Sequence, residues 1–368
     1  MRKVPFFDYP KLWLDERQDL LEIIDNVSSS GGFIMQKELS EFENQLSEFV
    51  GSDYAVGVGN ATDGMEIFLQ AIGIEQGDEV IISSHTMLAT ASAIVANGGK
   101  PIPVDIGDDN LIDPEAIEDA ISDKTVGIMP TQLNGRTCNM DLIESIAKKH
   151  SLFVVEDAAQ ALGSRYKDQF AGTFGLASCI SFFPAKVLGC LGDAGAVITS
   201  NEDIYRKAYQ LHDHGRDING EVKIWGRNSR LDNLQAAILS HKLKSYQNVI
   251  ERRRQIASIY DKELSEIEQL QLPPAPDSCL DHFDVYQNYE LQADRRDELI
   301  SYLNENGIGT LVQWGGKAVH QWEGLGFNQK LPRVEKFFRR CFMVPINMFL
   351  SDDDVYYVCK MIKSFYSQ

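Results

Sequence analysis

The sequence has no apolar run near the roughly 18 residues that a membrane helix needs, and its mean hydropathy is -0.23. No membrane span is expected. Cysteine is scarce, with 6 in 368 residues. Cys138, Cys179, Cys190, Cys279, Cys341 and Cys359 form no CxxC pair, and none stands beside a histidine at zinc spacing. This disfavours a disulfide scaffold and a zinc module, so no metal is expected, and the thiols read as reduced and mostly buried in the cytoplasm. Basic residues are also few: 35 Lys and Arg face 54 Asp and Glu, for a net charge of -19. A nucleic-acid binder needs a basic stripe, and the one basic cluster, Arg252-Arg253-Arg254, lies inside a helical pattern. Nucleic acid is therefore not an expected partner. The acid excess serves solubility and leaves room for an anionic small ligand, because backbone amides bind phosphate whatever the net charge. In the opening residues Asp8, Asp15 and Glu16 break any apolar core, so a secretory signal is not expected.

What is present is an ordinary globular composition, 43% hydrophobic and 24% charged. The length suits one large domain plus a small one. No internal repeat or low-complexity tract stands out. The first half alternates short apolar runs with amphipathic helical patterns. Tyr54 to Gly59, Glu79 to Ile82, Pro101 to Val104, Val126 to Met129 and Leu152 to Val155 read as strands. Thr62 to Ala71, Ala89 to Ala96, Pro114 to Ala120 (capped by Asp113) and Asp141 to His150 read as helices. This predicts an α/β fold with a mainly parallel sheet covered on both faces. From Leu231 to Ile267 helical spacing continues with few breaks and predicts a long linking helix. A proline-rich stop follows at 273–276. The remainder reads as a smaller α+β unit: strand from Tyr286 to Leu291, helix from Arg296 to Asn306, strand from Gly309 to Gln313, and a last helix from Asp353 to Phe365.

Three features fall where such a sheet binds ligands, at the carboxyl ends of its strands. Asp157 ends an apolar strand, so its carboxylate needs a cationic partner or a proton. The protonated ring nitrogen of pyridoxal phosphate is such a partner. Lys186 lies in an apolar, glycine-rich stretch with few acids nearby. Desolvation lowers a lysine's pKa, and a neutral amine can form a Schiff base. Ser181, five residues earlier, can donate a hydroxyl to phosphate. The turn from Gly57 to Gly64 runs from strand into helix, where free N–H groups favour phosphate. Each feature alone has a plainer reading: a helix cap for Asp157, a surface lysine for Lys186, an ordinary α/β loop for the turn. Their combination in this order is the specific signal.

On these residues the chain resembles the DegT/StrS sugar aminotransferases, pyridoxal-phosphate enzymes of fold-type I. The likeness runs from Gly31-Gly32-Phe33-Ile34 to the last helix and is most specific in VEDAAQALGSRYK (155–167), SFFPAKVLGCLGDAGA (181–196) and GRNSRLDNLQAAIL (226–239). The resemblance implies a large cofactor-binding domain over 1–240, with an N-terminal arm and a mainly parallel seven-stranded sheet, and a smaller C-terminal domain over 241–368. It implies that Lys186 binds the cofactor's aldehyde and then moves protons, that Asp157 pairs with the ring nitrogen, and that Gln160 lies near the ring's 3-hydroxyl. Thr62, Asp63 and Ser181 are implied to hold the phosphate. Asn228 is implied to reach the neighbouring subunit's cofactor, in a homodimer with shared active sites. The implied reaction moves an amino group from L-glutamate, leaving 2-oxoglutarate, to a nucleotide-linked ketosugar, for surface polysaccharide such as O-antigen of lipopolysaccharide or for a glycosylated metabolite.

Several positions depart from the family pattern. Met87 stands where an aromatic residue commonly stacks on the ring; its thioether can still pack there. Asn134 precedes Gly135 where a tyrosine is often found. Near the C-terminus, Gln313-Trp314-Gly315-Gly316-Lys317-Ala318-Val319-His320 replaces a common His-Tyr pair. Lys186 itself separates the chain from family dehydratases, which tend to carry histidine there. The Ser84-His85-Thr86 segment resembles the subgroup that aminates C-3 of dTDP-ketosugars, with amination at C-4 of a dTDP-, UDP- or GDP-sugar as the alternative; His85 reads equally as a packing residue. Arg227, Arg230, Trp314, Lys317 and His320 are substrate-side candidates, with ion pairing or packing as the plain reading of each.

Overall fold

A computed structural model describes residues 2–367. Its main sheet has two four-stranded ribbons. In one, Lys100–Val104, Glu79–Ser83, Thr125–Met129 and Phe153–Val154 lie side by side, all parallel. In the other the order is Tyr54–Val58, Gly195–Thr199, Ser178–Ser181 and Glu156–Asp157. The stretch 153–157 belongs to both, so the ribbons join into one sheet of seven strands. Gly195–Thr199 alone runs against the rest. The strands are near-continuously buried, as expected when helices cover both faces. Val58, Met65, Phe68, Ile82 and Val197 form a core on one side; Phe42, Ile180, Phe182 and Leu239 pack on the other.

Four helices, Tyr9–Ser30, Lys37–Val50, Glu202–His212 and Pro332–Arg340, add to the elements expected from periodicity. The long helix expected over 231–267 is two helices, Asn233–Leu243 and Tyr246–Leu264. The break tightens the backbone: the N–H groups of Lys244 and Ser245 donate three residues back, to His241 and Lys242, and the Ser245 hydroxyl also donates to the Lys242 carbonyl. Tyr246 and Ile250 of the second helix enter the core around Phe42, whereas Ile256, Ala257, Tyr260 and Leu264 enter a separate C-terminal core.

That C-terminal core surrounds an antiparallel sheet of Leu270–Gln271, Tyr289–Ala293 and Cys341–Val344, covered by Arg296–Glu305 and Asp352–Tyr366. The strand expected from Tyr286 starts only at Tyr289, because Tyr286 adopts a left-handed φ of 51°. The strand expected over Gly309 to Gln313 is an isolated bridge of Leu311 to Met343. The N-terminal arm crosses to this unit: Val4 is buried in its core, and the Val4 N–H donates to the Gly307 carbonyl at 2.8 Å. Gly307 has φ of 76°, and a Cβ there would lie 2.1 Å from the Arg2 carbonyl oxygen, so only glycine lets the arm approach. Among the described residues, no helix is long and apolar enough to cross a membrane.

Candidate active site

The parallel strands deliver their carboxyl ends to one edge of the sheet, where the chain leaves them at Asn60, Ser84, Thr131, Asp157 and Ser181. A cavity of about 440 Å³ opens there, as the geometry of open α/β sheets leads one to expect. Strand alternation sets the two neighbouring acids apart. Glu156 turns away and is anchored by the Gln132 amide and the N–H groups of Gly172, Phe174 and Gly175. Asp157 turns into the cavity.

Asp157 is 3% exposed. Its Oδ2 accepts the Thr90 hydroxyl at 2.6 Å and its Oδ1 accepts the Ala159 N–H at 3.1 Å. Burial raises its pKa above the usual carboxylate range; those two bonds and the charge of Lys186 oppose the shift. The Thr90 proton is committed to the carboxylate, so Thr86 must donate to Thr90 (2.7 Å) and Thr131 to Thr86 (2.8 Å). This directed hydroxyl chain favours the ionised acid.

Lys186 reaches the same cavity from a turn in which its N–H donates to the Phe183 carbonyl. Burial pulls its pKa down to about 8, against the attraction of Asp157. At the opposite side stands the N-terminus of helix Ala61–Ile72. Asn60 satisfies two first-turn donors, taking the Asp63 N–H on its side chain and the Gly64 N–H on its carbonyl. The N–H groups of Ala61 and Thr62 are left without a helical partner beside the cavity. Gly195 makes this possible: a Cβ there would sit 2.7 Å from the Asn60 carbonyl carbon and 2.8 Å from the Ala61 nitrogen.

Thr62, Met87, Asp157, Gln160, Ser181, Lys186 and Trp314 thus share one cavity. The other candidates lie elsewhere. The Asp63 carboxylate accepts the Ser229 hydroxyl at 2.6 Å, outside the cavity lining. Asn228 is exposed at the end of a projecting loop, paired with Asp213. Arg230 is ion-paired with Asp213 at 2.9 Å, and Arg227 with Glu66. Lys317 lies over the Trp322 ring. His320 is buried between the Ser84 hydroxyl (2.7 Å) and Glu335 (3.4 Å). His85 is buried behind Trp314, with Nδ1 2.9 Å from the Asn110 carbonyl oxygen and Nε2 3.3 Å from Glu290.

The sequence reading missed the supports. Thr90 sits one helical turn beyond Met87, a spacing that could have pointed to it. Asn134, noted only as a departure, is a hub: its Nδ2 donates to Glu290 at 2.7 Å, and its Oδ1 accepts from Asn288 at 2.8 Å and Gln313 at 3.0 Å. Its N–H donates to Gln160 Oε1 at 3.0 Å. With that oxygen engaged, the Gln160 NH2 is the end left to face the cavity.

These residues fit pyridoxal phosphate. A buried carboxylate without a contacting cation among the described residues, an amine whose pKa burial lowers and a helix N-terminus with free N–H groups surround one space of suitable size. Comparison with known proteins agrees. Residues 14–363 match the DegT/DnrJ/EryC1/StrS aminotransferase family. The chain is 35% identical over 367 residues to a pleiotropic regulatory protein of Geobacillus stearothermophilus, covering 99% of this chain and 98% of that protein. It is 35% identical over 350 residues to the dTDP-3-amino-3,4,6-trideoxy-alpha-D-glucose transaminase of Streptomyces venezuelae, covering 94% and 91%. The crystal structure of S. venezuelae DesV in complex with a ketimine intermediate superposes with a TM-score of 0.95 at 33% identity, over 100% of both chains. Fold, cavity and sequence therefore converge: the chain belongs to the DegT/DnrJ/EryC1/StrS aminotransferase family and is a pyridoxal-phosphate enzyme.

Proposed function

We propose that this enzyme transfers an amino group from L-glutamate to a nucleotide-linked ketosugar, preferentially at C-3 of a dTDP-3-keto-6-deoxyhexose. The observation that carries the chemistry is Lys186 and Asp157 facing one cavity beside a helix N-terminus. The named activity of the S. venezuelae relative supports the sugar-nucleotide substrate and the C-3 preference. Amination at C-4 is the second reading, because His85 is buried and outside the cavity lining and so gives no direct ground for C-3.

Bound pyridoxal phosphate supplies an electron sink for the substrate carbon. Lys186 would hold the cofactor through its Nζ; once the amino donor takes its place, the freed amine, half neutral near pH 8, would take the proton from the amino-bearing carbon and return it. Asp157, its charge supported by Thr90, would hold a proton at the ring nitrogen. The NH2 of Gln160 would donate to the ring oxygen. Thr62, the first-turn N–H groups and Ser181 would hold the phosphate. Met87 would pack on the ring. Trp314 borders the space left for the sugar.

The same proposal includes a homodimer. The loop carrying Asn228 exposes Trp225 at 94% and Ile218 at 82%, an apolar patch that a second copy would cover. Two units are proposed, 1–240 and 241–368, with helix Tyr246–Leu264 contributing to both cores and the N-terminal arm packed on the second. Free cysteines, five of six buried, suit a cytoplasmic enzyme, and surface polysaccharide is the proposed destination. The test is a panel of 3-keto and 4-keto nucleotide sugars incubated with enzyme and glutamate. Amino-sugar formation from the 3-keto members is expected; turnover of 4-keto members alone would replace C-3 by C-4.

A further inference from the structure

Lys186 is held in place by a residue more than a hundred positions away. Gln287 is buried at 6% exposure. Its Nε2 donates to the Ala185 carbonyl at 2.8 Å, and its Oε1 accepts the Val187 N–H at 2.8 Å. One side-chain amide therefore grips the main chain on both sides of the lysine. Only one orientation works, because a flipped amide would set donor against donor and oxygen against oxygen. The space among Gln287, Gln160, Lys186 and Tyr246 is only about 10 Å³, whereas on the side of the N-terminal arm the same lysine segment borders a cavity of about 250 Å³, so the grip of Gln287 is what keeps the segment from shifting toward that open side.

The next residue acts on the other side of the cavity. Asn288 Nδ2 donates to Asn134 Oδ1 at 2.8 Å and to Gln160 Oε1 at 3.3 Å. Together with the Asn134 N–H, it settles which end of Gln160 faces the cavity. The dipeptide is itself fixed. Arg253 donates to the carbonyls of Tyr286 at 2.9 Å and Gln287 at 3.1 Å, and no ion-pair partner accompanies it among the described residues. A buried guanidinium devoted to two carbonyls is a costly way to hold a loop, and burial lowers its pKa to about 10.

We infer that Gln287 and Asn288 are positioning residues: Gln287 fixes the Lys186 main chain so that its amine stays in the cavity it shares with Asp157, and Asn288 fixes the amide of Gln160. The inference rests on the pyridoxal-phosphate reading only for its consequence in cofactor binding. Asp157 and Asp193 are the titratable groups that line the cavity with Lys186.

The test labels the cofactor-free protein with an amine-reactive reagent across pH and follows the Lys186 peptide by mass spectrometry. Wild type should titrate near pH 8. Gln287→Met, of similar size but without either bond, should move the midpoint up by about one unit and slow labelling at pH 8 by roughly fivefold. Gln287→Leu, also neutral and without either bond, should shift the midpoint the same way and carries the test should the methionine variant not fold. Asn288→Ala should leave the Lys186 profile unchanged but weaken capture of pyridoxal phosphate, read as borohydride-fixed adduct, by roughly tenfold. A folded Gln287 variant with the wild-type Lys186 profile would overturn the role of Gln287. Unaltered cofactor capture by Asn288→Ala would overturn that of Asn288. Failure of wild type to capture the cofactor would instead sink the proposed function, leaving the labelling result to stand alone.

Discussion

Thr90 donates its hydroxyl proton to Asp157 Oδ2 at 2.6 Å, the terminal link of a chain that starts at Thr131. A hydrogen bond to a charged group contributes about 1.5–3 kcal/mol. Thr90→Val should therefore weaken pyridoxal phosphate binding by roughly tenfold or more, and Asp157→Asn should weaken it further. Equilibrium titration of the cofactor checks both. Equal affinity in Thr90→Val would show that the chain does not support the charge of Asp157.

Burial pulls the Lys186 pKa down to about 8, so half the amine is neutral at about pH 8 and the neutral fraction levels above about pH 9. The ordinary lysine value is higher by more than two units, which at neutral pH gives Lys186 on the order of 10²-fold more neutral amine. Stopped-flow capture of pyridoxal phosphate should accelerate with pH, with a midpoint near 8 and a plateau above about 9. Continued acceleration to pH 10 would mean that the amine is solvated.

Glu43 tests the fold apart from the site. It accepts the Gly57 N–H at 2.7 Å, and burial raises its pKa to about 7. The sign follows from linkage. Below the unfolded value near 4.5 both states are protonated and nothing is lost. As pH rises toward 7 the unfolded chain sheds its proton first, so the folded state loses stability, and above 7 the full cost persists. Glu43→Gln should raise Tm at pH 8 by roughly 2 °C or more and leave it little changed at pH 4. A gain independent of pH would contradict this reading.

Shared sites make a complementation prediction. Lys186→Ala and Asn228→Asp variants should each be poorly active alone. A mixture refolded together should regain about a quarter of wild-type activity, because half the dimers then carry one intact site. Sedimentation velocity should also show Trp225→Glu shifted toward monomer. A wild-type protein that sediments as a monomer would remove the role of Asn228 in its neighbour's site.

Much of this was legible in the sequence because the chemistry is local. Asp157, Lys186 and the turn at Gly57–Gly64 each follow a strand and announce themselves by residue type. The parallel sheet was legible from apolar runs of strand length. What was not legible depends on distance. Gln287 grips Lys186, and Asn134 gathers Asn288, Gln313 and Glu290, across separations that no spacing reveals. The break at Lys244-Ser245 was hidden because hydrophobic periodicity continues through it, and the late start of strand Tyr289–Ala293 because tyrosine at 286 gives no hint of a left-handed φ. Asp63 looked like a phosphate ligand by position, but its carboxylate is turned to Ser229.

The most direct test is the absorption spectrum of the purified protein loaded with pyridoxal phosphate, before and after L-glutamate. The account predicts a visible band that requires Lys186, is lost when glutamate is added, and gives way to a near-ultraviolet band as 2-oxoglutarate appears. A visible band indifferent to glutamate would contradict the proposed amino donor. A band that survives in Lys186→Ala would contradict the central assignment of the lysine.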